Sequence, residues 1–233
     1  MSAGARAKAP RAVDPNEDAG AVVRGPRADL LVVADGHFGR EASELAAGHV
    51  LEALGHDPPP ADLSDGDLIS VFFEAGVTVQ RETSRAGCPH PDSRTTLALA
   101  LVADDAIQWA ALGDSCVVLA TTHGGERLDV PRSAYLGYRF DVADVAAAMT
   151  RGRTAWSSGD YLALATDGLV DAVGVDERDV AAVVSGQLGN APDAGRTAEL
   201  LLLLALEAHA DDAVTIAVAS NRSVRPKGSP RSL

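Results

Sequence analysis

The stretch Leu31-Val32-Val33-Ala34-Asp35-Gly36-His37-Phe38-Gly39-Arg40 sets the problem of this chain. An apolar run, Leu30 to Ala34, stops at a carboxylate, a glycine and a histidine. Asp-Gly alone is a common turn signal, and a single one is a turn far more often than a metal ligand. The pattern, however, recurs. Ala106–Leu112 ends at Gly113-Asp114-Ser115, and Tyr161–Ala165 leads through Thr166 to Asp167-Gly168, with Asp171 four residues on. Asp211-Asp212 opens a last apolar run, Ala213–Ala219. Strand ends are rigid and leave their last side chains at the rim of the core. Several such ends can aim acids into one cleft, and clustered carboxylates suit hard divalent ions such as Mg²⁺ and Mn²⁺. A glycine after the aspartate lets the backbone come close, so that its carbonyl can serve as well.

Around these runs the texture alternates. Ala19–Arg24 and Leu30–Ala34 read as strands joined by a Gly25-Pro26 turn. Glu41–Leu54 carries apolar residues at helical spacing and is stopped by Gly55 and Pro58-Pro59-Pro60. Leu68–Arg85 predicts a second helix with Asp67 as its cap. Thr95–Ala103 and Ala106–Leu112 predict a hairpin around Asp104-Asp105, followed by a strand at Cys116–Thr121. Asp141–Met149, Val175–Val184 and Arg196–His209 read as helices. This order lacks strict βαβ alternation, so antiparallel sheets covered by helices are expected rather than a doubly wound parallel sheet.

Composition bounds the function. The chain has 233 residues, 46% of them hydrophobic, enough for a sizeable core. Its net charge is −13, and between basic tails at 1–12 and 221–233 the body holds 13 basic and 33 acidic residues. Such a body repels phosphate backbones, so no nucleic-acid partner is expected. Both tails are expected to be mobile, flanking a single domain at 13–220. Two cysteines, Cys88 and Cys116, make no disulfide framework and suit a reducing cytoplasm. No signal peptide is visible, and the longest aliphatic run, Leu200–Leu206, falls well short of the ~20 residues of a membrane helix. No membrane association is expected. G-x-S-x-G and P-loop motifs are absent.

The segments ADGHFG, TLALALV…AALGDSCVVLA, GDYLALATDGLVDAV and DAVTIAV, in this order, resemble the metal-dependent serine/threonine protein phosphatases of type 2C, and Asn16-Glu17-Asp18-Ala19 resembles that family's first acidic motif. The resemblance implies an α+β, four-layer αββα sandwich: two antiparallel sheets flanked by helices, with a metal cleft at one end. It implies two Mn²⁺ or Mg²⁺ ions, or three, and a bridging hydroxide that attacks phosphoserine or phosphothreonine. Asp35 would bridge the ions, the Gly36 carbonyl and Glu17 would serve one, and Asp167 and Asp212 the other. Asp114 and Asp171 match positions of a third, weaker ion. His37 matches the position that protonates the leaving group.

The chain also departs from the pattern. Val13 stands where the family usually has an arginine that grips the substrate phosphate, which leaves Arg11 or Arg94 for that contact. Arg94 replaces a glycine, and Ala213 an asparagine. The segment 122–158 is short for the family, and its Tyr135, Tyr138 and Phe140 read as local core. The expected partners are phosphoproteins and an opposing serine/threonine kinase, and the expected state is a cytoplasmic monomer that acts in signalling. The alternative is a phosphatase-like binding or regulatory module with weak or no catalysis.

Overall fold

The antiparallel registers carry every acidic motif to the same end of the molecule. The computed structural model describes residues 2–7, 15–55, 59–121, 123–173, 177–188 and 193–221. The elements in chain order are β1 (Ser2–Ala7), β2 (Ala19–Val23), β3 (Ala28–Ala34), β4 (Gly36–His37), α1 (Glu41–Leu54), α2 (Asp65–Thr83), β5 (Arg94–Thr95), β6 (Leu97–Ala103), β7 (Ala106–Leu112) and β8 (Cys116–Thr121). There follow β9 (Gly124–Arg127), α3 (Val142–Ala148), β10 (Thr150–Ala155), β11 (Tyr161–Ala165), α4 (Asp167–Val173), α5 (Glu177–Leu188), α6 (Ala194–Glu207) and β12 (Val214–Ser220). One sheet has the order β1-β12-β11-β8-β9 and the other β10-β7-β6-β3-β2, and β4 and β5 form a small ladder of their own. Every pairing between these strands is antiparallel.

Strand periodicity explains the layers. In β3, Leu31 and Val33 face the other sheet, where they meet Val117, Leu119, Leu162 and Leu164. Leu30, Val32 and Ala34 face outward onto α1 and α2, through Ala46, Val50, Phe72 and Val79. The second sheet buries Val118, Ala163, Ile216 and Val218 under α5 and α6. Central strands are therefore buried on both faces, which is why they read as continuous apolar runs rather than alternating ones. The result is the expected four-layer αββα sandwich.

Several local expectations change. The tail expected over residues 1–12 is corrected at its start: Ser2–Ala7 pair with β12 from Ser2↔Ala219 to Ala7↔Val214. Ser2 is anchored by its hydroxyl to Asp29 at 2.6 Å, and its carbonyl accepts from Arg24 at 2.9 Å. The tail at 221–233, apart from Asn221, lies outside the described residues. Asp67 does not cap α2. Ser64 does, and Asp67 returns a bond to the Ser64 N–H, closing a capping box. The segment 123–158 holds β9 and β10 beside the expected helix, and α4 follows Thr166 at once. Both cysteines are free, and Cys116 is buried, its thiol pushed up to about 12 chiefly by that burial.

Below β9, Arg127 and Asp129 form a buried ion pair at 2.9 Å. Asp129 also accepts the Val117 N–H at 2.7 Å, and Arg127 donates to the Asp114 carbonyl at 2.9 Å. The pair thus fastens the loop after β9 to the turn that carries Asp114. Removing one partner would strand the other charge. Arg127→Ala should therefore lower unfolding stability by about 3–5 kcal/mol in urea titrations, whereas Ser64→Ala should cost about 1 kcal/mol.

Candidate metal centre

The register places Ala19 opposite Ala34, Val33 opposite Ala98, and Leu97 opposite Leu112. In the second sheet, Ala165 lies opposite both Cys116 and Ile216. The start of β2, the end of β3, the β7–β8 turn, the end of β11 and the start of β12 thus share one edge. One ligand oxygen each of Asp35, Asp114 and Asp167 lie within 4.8 Å of one another. Asp35 is 1% exposed, and Asp35 Oδ2, Asp114 Oδ1 and Asp167 Oδ1 are buried without a hydrogen-bond partner.

Backbone crowding and hydroxyls hold these acids in place. A Cβ on Gly36 would collide with the Glu17 carbonyl, and one on Gly168 with the Ala213 carbonyl. Each glycine after an aspartate therefore lets a second acidic motif lie against the first. Thr95 donates to the Asp35 carbonyl at 2.7 Å, and the Asp35 N–H donates to the Thr96 hydroxyl at 3.1 Å. Thr96 in turn shares a 2.7 Å bond with Ser115, beside Asp114.

Electrostatics opposes the arrangement. Burial first, then the charges of Asp167, Asp18, Asp212 and Asp114, push the Asp35 carboxyl up to about 11. Burial, then Asp114, Asp212 and Asp171, push Asp167 up to about 7. Asp171 is raised by burial, Asp212 and Asp114. A cluster of hard oxygen ligands with unpartnered lone pairs and strong mutual repulsion suits a divalent cation, which would relieve both costs.

The remaining expected residues take different places. Glu17, Gly36, His37, Asp171, Asp211 and Asp212 line a cleft of about 820 Å³ outside that trio. Asp212, an exposed residue, accepts the Ala213 N–H at 2.6 Å. His37 Nε2 lies 3.6 Å from Asp35 Oδ2. Arg94 pairs with His37 on the β4–β5 ladder, but its guanidinium sits 4.9 Å over the Tyr138 ring and donates to the Ser93 carbonyl at 2.6 Å. It does not line the cleft. Arg11 lies outside the described residues. His90 bonds Glu41 at 2.9 Å, well apart in role from the acidic cluster.

Two site residues escape sequence reasoning. Asp18 is 3% exposed and accepts the Thr166 hydroxyl at 3.0 Å, while Thr166 also receives the Thr215 N–H at 2.9 Å. Burial raises its carboxyl, and the threonine bonds oppose that rise. Its signal was its place inside Asn16-Glu17-Asp18-Ala19, one residue before a strand. Tyr135 is not local core. It packs edge-on to the His37 ring at 4.8 Å, and burial followed by the charges of Asp114, Asp35 and Asp167 pushes its phenol up. Of the other two aromatics, Phe140 does join the helix-side core, and Tyr138 is half exposed beneath Arg94.

A sequence model described as Protein phosphatase 2C matches residues 8–205. No curated protein matches the chain. Among solved structures, a bacterial serine phosphatase aligns with a TM-score of 0.76 at 18% identity, over 95% of this chain and 97% of its own. The Mycobacterium tuberculosis serine/threonine phosphatase PstP/Ppp aligns at 0.74 and 22%, over 95% and 98%. The catalytic domain of PstP in complex with two manganese ions aligns at 0.73 and 24%, over 94% and 97%. At these identities the likeness is one of fold.

The pH dependence of the metal-free protein follows from the raised carboxyls. A carboxyl raised on folding binds more protons folded than unfolded, so stability falls as pH climbs from the unfolded value toward the folded one. For Asp167 that window closes near 7, and for Asp35 it extends to about 11. Thermal melts in chelator should show Tm falling from pH 5 to pH 8. Mn²⁺ should flatten the slope, and Asp35→Asn should raise the metal-free Tm at pH 8.

Proposed function

Because this chain belongs to the protein phosphatase 2C family, whose model spans residues 8–205, we propose that it hydrolyses phosphoserine and phosphothreonine in proteins with Mn²⁺ or Mg²⁺. The carrying observation is the convergence of Asp35, Asp114 and Asp167, each with one buried carboxylate oxygen left without a hydrogen-bond partner. Asp35 and Asp167 would hold one ion with Asp212. Glu17 and the Gly36 carbonyl would serve a second with Asp35, and Asp114 and Asp171 would complete the cluster. When bound, two such ions lower the pKa of water and offset charge on the phosphoryl oxygens.

The chain's own groups do the rest. A seryl or threonyl alkoxide is a strong base and needs a proton as it leaves. His37 lines the cleft, and its Nε2, buried 3.6 Å from Asp35 Oδ2 without a hydrogen-bond partner, is the group that this reading assigns to protonate the leaving oxygen. Tyr135 supports the ring from the side and fixes its plane. Asp18 ties the start of β2 to Thr166 and so holds two acidic motifs together. Phosphate contact by Arg94 requires its guanidinium to leave Tyr138, and Arg11 is the other cation this reading carries. Phosphoprotein substrates, an opposing kinase, a monomeric state and a cytoplasmic location belong to the same reading. No described helix is long and apolar enough to cross a membrane.

One observation favours the second reading, a binding or regulatory module. Among the described residues, no arginine or lysine lines the cleft. The two readings separate on one purified sample. Phosphatase action predicts phosphothreonyl-peptide turnover that needs Mn²⁺ and stops with chelator, and that falls at least about 10³-fold in Asp35→Asn and Asp167→Asn. Mn²⁺ binding measured by calorimetry without turnover supports the module. His37→Asn should lower kcat on the peptide about 10²-fold and far less on p-nitrophenyl phosphate, whose leaving group needs little help from an acid.

A further inference from the structure

Among the described residues, only Phe38 and His209 hold positive φ without being glycine, at 60° and 62°. Both line the acidic cleft. Their causes differ. His209 follows the last turn of α6, where Ala210 N–H bonds the Ala205 carbonyl at 3.0 Å and His209 N–H the Leu206 carbonyl at 3.1 Å. Those paired bonds end a helix on a left-handed residue, so helix termination accounts for His209.

Phe38 has no such account. It follows β4 and is not the cap of α1, which is Arg40. Its side chain is 72% exposed. A bulky residue in left-handed backbone is strained, and an exposed ring recovers little through burial. Glycine would adopt this backbone without cost. The fold therefore gains nothing from a phenyl ring at this position. Beyond the tilted contact with the His37 ring, what the ring meets must enter the cleft from outside.

We propose that Phe38 is a specificity-determining residue, an apolar platform beside the reacting phosphate that favours phosphoseryl or phosphothreonyl peptides with a large apolar side chain next to the phosphorylated residue. The inference rests on the phosphatase reading above. Phe38 adjoins His37 in the chain and tilts against it, ring centroids 6.5 Å apart. The other described lining residues are acids, His37, His209, Gly36, Pro15 and four alanines. Phe38 is thus the one large apolar side chain described there.

The test uses two phosphothreonyl peptides that differ only in leucine or glycine beside the phosphothreonine. Their phosphonate analogues, with CH₂ in place of the bridging oxygen, bind without turning over. The wild-type chain, Phe38→Gly and Phe38→Leu are compared in Mn²⁺ by kcat/KM on the peptides and by anisotropy on the labelled analogues. Wild type should favour the leucine peptide about tenfold in both measures. Phe38→Gly should bring the ratio to about one, Phe38→Leu should keep part of it, and the Tm of Phe38→Gly should equal or exceed wild type. Equal values for both peptides on wild type, or an unchanged ratio in Phe38→Gly, overturns the proposal. So does a Tm loss above about 5 °C in Phe38→Gly, which would give the ring a packing role. Absence of Mn²⁺-dependent turnover in wild type sinks the phosphatase reading instead, and the analogue binding ratio then still decides Phe38.

Discussion

Like charges are gathered here where water is scarce. Asp35, Asp114 and Asp167 converge at the end of the sandwich, with Asp18 buried close by and Asp212 and Asp171 facing them from the open side. Nothing in the charge balance favours this. The apolar layers above and below make it tolerable, because the strands that present the acids are fixed on both faces by side chains that cannot move without opening the core. Core and site are therefore one construction: packing holds the acids together and the acids strain the packing.

Close backbone approach is the second half of that construction. Gly36 lies against Glu17, and Gly168 against Ala213, so two pairs of distant motifs touch through their main chains. Threonine hydroxyls at 95, 96 and 166 then satisfy the backbone where the sheets fray into loops. The Asp-Gly pairs earn their glycines by crowding as much as by any ligand role for a carbonyl.

These relations decide what a sequence reader can see. The double-faced strands and the helix Glu41–Leu54 were legible because local pattern and tertiary demand agree. So were the acids at strand ends, since an apolar run that stops at a carboxylate leaves a mark in one dimension. β9 and β10 were not legible. They are polar edge strands, Gly-Gly-Glu-Arg and Thr-Arg-Gly-Arg-Thr-Ala, with no apolar alternation to betray them. α4 was hidden because it begins directly after a strand and its Asp-Gly start reads as a turn. Asp18 was obscured by Glu17, its neighbour, and Tyr135 by two other aromatics that have no part in the cleft. The contact between Tyr135 and His37 depends on a loop closure that no local period encodes.

The pairing of β1 with β12 has a bearing on how the protein behaves in solution. β12 is Val-Thr-Ile-Ala-Val-Ala-Ser, seven residues of high strand propensity without charge or proline. With Ser2–Ala7 beside it, that strand lies inside a sheet, and the outer edge passes to a run of small residues interrupted by an arginine. Cutting back the first residues would turn β12 into an open hydrophobic edge able to template pairing between chains, so the opening strand acts as a guard against self-assembly.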